Sequence, residues 1–104
     1  MGNFFPSRML YLNKRKCRLE QIFLNNDENK REIVKTLENK EVILLDLHNK
    51  WLSGEISDCI FDTYTIKKKD EKYRLHYHDL LALIPMDENK IFLDEEYARL
   101  LNKL

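Results

Sequence analysis

The sequence predicts a mainly β domain, a small barrel with helices at its two ends, on three observations. Between Val42 and Pro85, apolar and polar residues alternate: Tyr64 and Ile66 are interleaved with threonines, and Tyr73, Leu75 and Tyr77 with Arg74, His76 and His78. Period-two alternation marks strands with one buried face. The runs are short and separated by polar turns, as small closed sheets require. Helical spacing is clearest at the carboxy-terminal end, where Tyr97, Leu100, Leu101 and Leu104 form one stripe.

Taken in order, Met1–Phe5 reads as a loose end, and Pro6 restricts the backbone that follows. From Ser7 to Asn25 a stripe of Met9, Leu12, Lys16, Leu19, Ile22 and Phe23 favours a helix, with a strand at Met9–Leu12 as the alternative. Asn25, Asn26 and Asp27 form a capping cluster for a short surface helix over Glu28–Asn39. Its apolar edge is Ile33, Val34 and Leu37, with acids early and lysines late, as the helix dipole prefers.

Strands are expected at Val42–Leu47, Trp51–Ile56, Phe61–Ile66, Tyr73–His78 and Leu80–Pro85. Turns fall at His48–Lys50 and in the charged segment Lys67–Lys72. Gly54 marks a sharp bend or a close backbone approach. After a turn at Met86–Lys90, Asp94 is an N-cap for the last helix. This divides the chain into a basic extension over 1–26, a barrel with its leading helix over 27–85, and a helical extension over 86–104.

At 104 residues the chain is one domain with a single modest core. Its 18 basic and 18 acidic side chains cancel, which argues against coating nucleic acid by bulk attraction. Basic residues nevertheless gather at Arg8, Lys14, Arg15, Lys16 and Arg18. Cys17 and Cys59 are far apart and form neither a disulfide framework nor a zinc motif. No apolar run approaches bilayer length, and the amino terminus lacks the parts of a signal peptide, so a cytoplasmic protein is expected. No nucleotide-binding loop, nucleophile elbow or metalloprotease helix is present, and no enzyme is expected. His76 and His78 would share one face of a strand, but neither His48 nor Asp79 completes a metal-ligand spacing, so neither metal nor cofactor is expected.

The segment Leu52–Ile56 with its Gly54, the run Phe61–Asp62–Thr63–Tyr64–Thr65–Ile66, and His78 followed by Pro85 resemble, in order and spacing, the two-part signature of the Sm-like (LSm) family. Within it they are most similar to the bacterial RNA chaperones of the Hfq type. The resemblance covers about 27–85 and implies a five-stranded Sm-like, SH3-type barrel. It also implies a homo-oligomeric ring that binds single-stranded, uridine-rich RNA.

Carried over by residue, Tyr64 stacks a base in the central pore, and His78 and Asp62 shape the pocket beside Phe61. Tyr77 stands where the pattern has a lysine, and Lys30, where it has a glutamine, attracts phosphate. His48–Asn49–Lys50 replaces an asparagine–glycine turn, and the chain between Gly54 and Phe61 is about two residues longer, an even number that preserves strand facing.

Plainer roles stand beside these. Tyr64 and Phe61 can be core aromatics, and Asp62 can brace a turn. Trp51 or the terminal helices can anchor a protein partner, giving an adaptor or inhibitor on the same barrel. An aromatic–histidine pocket can also take a small nucleotide.

Overall fold

A computed structural model of the protein describes residues 19–102. The chain runs β1 (Glu20–Leu24), α1 (Asp27–Thr36), β2 (Glu41–Asp46), β3 (Lys50–Ile60), β4 (Thr63–Lys68) and β5 (Glu71–His76). A single 3₁₀ turn (Tyr77–Asp79) leads to β6 (Leu80–Pro85), β7 (Lys90–Asp94) and α2 (Glu95–Asn102). The strands form one seven-stranded sheet in the order β1-β7-β6-β2-β3-β4-β5. Its pairings are antiparallel except β1 with β7, which is parallel. Among the described residues the class is mainly β with two helices; β1 and β5 stand at the ends of the order, and no pairing joins them.

Alternation along the strands builds a core on each face of this sheet. Val42, Leu44, Ile56, Tyr64, Ile66, Leu75, Leu80 and Leu83 bury one face against Val34 of α1 and Leu37 at its C-cap. Ala82, Ile84, Ile91 and Leu93 bury the other against Tyr97 and Ala98 of α2, with Ile43, Leu45 and Trp51 at its margin. α1 begins at Asn26, whose side-chain oxygen accepts from the Asn29 N–H at 2.8 Å. Asp94 caps α2 in the same way, accepting from the Tyr97 N–H at 3.0 Å.

β3 changes partner along its length. Lys50–Glu55 pair with β2, and Glu55–Ile60 with β4. Gly54 sits at the changeover because the strands cross too closely for a side chain. A Cβ there would lie 2.7 Å from the Lys67 carbonyl oxygen.

Several boundaries differ from the sequence expectation. The helix read over Ser7–Asn25 is a strand at Glu20–Leu24; the earlier part of that stretch lies outside the described residues. Pairing explains the change: β1 lies in parallel register with β7, and the Glu20 N–H donates to Asn89 O at 2.8 Å. Phe61 and Asp62 form a turn instead of opening a strand. The charged hairpin end shrinks to Lys69–Asp70, because Lys67, Lys68, Glu71 and Lys72 pair across β4 and β5. The expected extensions contribute β1 and β7 to the same sheet as the central strands.

Candidate functional site

The 3₁₀ turn Tyr77–Asp79 is the meeting point of three elements. From α1, Lys30 Nζ donates to His78 O at 3.1 Å, and Asp27 Oδ1 lies 3.1 Å from His78 Nδ1. From the β2–β3 turn, the Leu47 N–H donates to Asp79 O at 2.9 Å, and His48 Nε2 stands 3.5 Å from Asp79. From the β3–β4 turn, Asp62 O accepts from the Tyr77 N–H at 3.1 Å. The result is a groove of about 280 Å³ lined by Asp27, Glu28, Arg31, Asp62, His76, Tyr77 and His78. The fold therefore brings together Asp62, Tyr77 and His78, three of the residues singled out in the sequence, and adds His76 to them. His76 closes β5, whereas His78 sits in the 3₁₀ turn, so the two do not share a strand face.

Lys30 has another role than the expected one. It is 4% exposed and pairs with Asp94 Oδ1 at 2.9 Å, so its charge ties α1 to the start of α2. A buried, paired ammonium is poorly placed to collect phosphate.

Tyr64 likewise differs from its expected role as a base stacker. It is 0% exposed, and its ring stacks on Tyr77 with centroids 5.2 Å apart and an interplanar angle of 28°. The Tyr64 hydroxyl has no hydrogen-bond partner among the described residues. Burial, the largest cause, holds both phenols well above their ordinary ionisation range. No face of the Tyr64 ring is open to a base in this conformation.

Phe61 is the opposite case, 86% exposed at the tip of the β3–β4 hairpin. Ile60 pairs with Thr63, so Phe61 and Asp62 alone make the turn, with Phe61 at φ 54°. That left-handed region disfavours bulky side chains, and Gly or Asn is the usual occupant. Thr63 Oγ1 donates to Ile60 O at 3.0 Å and accepts from Arg74 at 2.9 Å, which fixes the turn from both sides. Ile60, also exposed, extends the apolar tip.

Sequence reasoning overlooked Arg31 and Asp27 as groove residues. The spacing Asp27–Arg31 of four, one helical turn, was the available signal. It also overlooked Asp46, a buried carboxylate whose Oδ2 accepts from the His48 and Asn49 N–H groups and shapes the turn carrying His48. Burial pushes the Cys59 thiol up, away from a reactive thiolate. Among the described residues no group of three His, Cys, Asp or Glu side chains could hold a metal, and no helix is long and apolar enough to cross a membrane. No family model matches the chain, nor does any curated protein or solved structure.

Proposed function

We propose that the protein is an Sm-like single-stranded RNA-binding protein, acting as an RNA chaperone or post-transcriptional regulator, with its RNA contact centred on Phe61. The exposed Phe61 ring, presented in an unfavourable backbone region, carries this reading. Strain of that kind costs roughly 1–3 kcal/mol and tends to collect at functional sites. In the groove lined by the next residue, Asp62, the side chains of Arg31, His76 and His78 supply donors, and Asp62 supplies an acceptor, for the edges of a splayed base. Stacking on an aromatic face contributes roughly 1–3 kcal/mol per base.

The Sm-like reading also draws support from the leading helix α1, the antiparallel run β2 to β5 with β6 beside β2, and the bend at Gly54. Uridine preference follows from the resemblance alone. Arg31 shares the groove with Asp27, Glu28 and Asp62, so attraction of phosphate is weak and binding rests on stacking and hydrogen bonds.

Copies associate in this reading through free sheet edges. β7 covers the outer edge of β6, so among the described residues the uncovered edges belong to β5 and β1. A ring then joins β5 of one copy to β1 of the next. Native mass spectrometry checks this: one closed assembly is expected, and a monomer at every concentration contradicts it.

Fluorescence anisotropy of labelled oligo-U and oligo-A tests RNA binding itself. Wild type should bind oligo-U, and Phe61→Gly and His78→Ala should each weaken it, Phe61→Gly by about tenfold or more. No binding by wild type, or binding indifferent to both substitutions, refutes the proposal.

A further inference from the structure

Charge is segregated along this chain. Residues 1–18 hold Arg8, Lys14, Arg15, Lys16 and Arg18 and no acid, so all 18 acidic side chains fall within residues 19–102. The chain is neutral as a whole, and the described body taken by itself is therefore acidic.

Part of that acidity borders an apolar groove of about 770 Å³ between α2, the first turn of α1 and the β2–β3 turn. Leu47 and Leu100, each 59% exposed, and the half-buried Leu81 give the groove its apolar lining. Its charged groups are Asp27, Asp94, Glu95 and Glu96 against Lys30, Arg99 and the titratable His78. Both cations are taken: Lys30 by Asp94 at 2.9 Å, and Arg99 by Glu95 at 2.7 Å. Glu96 has no ion pair among the described residues, and Asp27 has only His78, 3.1 Å away. His48, next to Leu47, faces Asp79. The adjoining groove adds Glu28 and Asp62 against Arg31 and His76, so the negative excess is not cancelled there.

The chain also enters the body on this side. Leu19, the first described residue, packs into the cluster of Tyr97, Ala98 and Leu101, to which Leu81 of the groove belongs. β1 runs from there to Leu24, which itself lines the groove. Five strand residues span about 16 Å. Returning over that distance takes about five residues when extended and about eleven when helical. Residues 1–18 are long enough for either.

We infer that this basic segment docks in the groove of its own chain, with Lys14–Arg18 meeting Asp27 and Glu96, and Met9, Leu10 and Leu12 covering Leu47, Leu81 and Leu100. Tethering holds the segment at an effective concentration on the order of millimolar, so modest contacts suffice. Its positive charge is then neutralised by its own body instead of standing free for phosphate. Neither the groove nor the segment includes Phe61, and the docking does not depend on RNA binding.

Zero-length carbodiimide crosslinking of the full chain, mapped by mass spectrometry, tests this. Links from Lys14 or Lys16 to Asp27, Glu95 or Glu96 are expected, falling severalfold between roughly 0.05 and 0.5 M salt. An equal mixture of isotope-labelled and unlabelled chains should show these links within one copy. Leu47→Ser/Leu100→Ser leaves every carboxylate in place and should cut their yield about threefold or more. Met86→Ser, an exposed apolar change outside the groove, should leave the yield unchanged, as should Phe61→Gly. Thermal melts verify that each variant folds. The docking is overturned if the lysines link evenly to carboxylates elsewhere, such as Glu41, Glu55 and Asp87, or to none. Links found only between copies, or a folded Leu47→Ser/Leu100→Ser that links like wild type, overturn it equally.

Discussion

The tip of the β3–β4 hairpin and the strand leaving it treat two aromatic rings of one short segment in opposite ways. Phe61 is 86% exposed and Tyr64 is 0% exposed, although only Asp62 and Thr63 separate them. Tyr64 lies on the inward side of β4, opposite Leu75 and stacked on Tyr77, where alternation places every second residue in the core. Phe61 escapes alternation because it occupies a two-residue turn with a left-handed backbone, outside the strands. The difference teaches that a motif-like run can bury one aromatic ring in the core and hold another out in solvent. Side-chain type alone does not tell them apart.

Cutting Tyr64 back gives the largest effect. Tyr64→Ala empties a fully buried site under two strands and should cost about 3–5 kcal/mol of stability. Chemical denaturation measures it, and a loss below about 1 kcal/mol would mean that Tyr64 is not the packed core residue described here.

Next comes Lys30→Met, which keeps the buried stem but removes the ammonium shared by Asp94 and the His78 carbonyl. A loss of roughly 1–3 kcal/mol is expected, read in the same denaturation series. Hydrogen exchange at the 3₁₀ turn should speed up in that variant, because α1 no longer ties it down.

Phe61→Gly sharpens the contrast by going the other way. Relief of the left-handed backbone should leave stability unchanged or raise it by up to about 1 kcal/mol, while RNA binding falls. A lower melting midpoint would show the ring packing on the protein rather than waiting for a ligand.

The smallest effect is Tyr64→Phe, within about 1 kcal/mol at neutral pH, because the lost hydroxyl has no hydrogen bond to give up. Its signature is alkaline. The folded chain holds the Tyr64 proton above the ordinary value of 10, whereas the unfolded chain releases it there. The stabilising contribution is therefore whole below pH 10 and is lost as pH rises beyond it. Tyr64→Phe should flatten the fall in melting temperature between about pH 9 and 11; an unchanged slope would assign the fall to other groups.

Much of the fold was legible in the sequence for local reasons. Leu80–Pro85 was placed to the residue, and the α1 cap and the Gly54 bend were read from side-chain chemistry that acts within a few residues. β1 was not legible. Ile22 and Phe23 fit the helical stripe read over Ser7–Asn25, and the decision for a strand rests with β7, distant in sequence. The same holds for the site. Asp62 and His78 were singled out through the resemblance to the Sm-like signature, and the turns that hold them were not foreseen. Arg31 enters the groove only through packing of α1 on the 3₁₀ turn, and Lys30 is buried only because Asp94 arrives from the far end of the chain.

The central claim, that RNA meets Phe61 and not Tyr64, is tested most directly by photo-crosslinking. Oligo-U carrying 5-iodouridine would be irradiated with the wild-type protein and the adduct mapped by mass spectrometry. The expected adduct lies at Phe61 or in the adjoining groove at His76 and His78. An adduct at Tyr64, or none under conditions where oligo-U is bound, would contradict the claim.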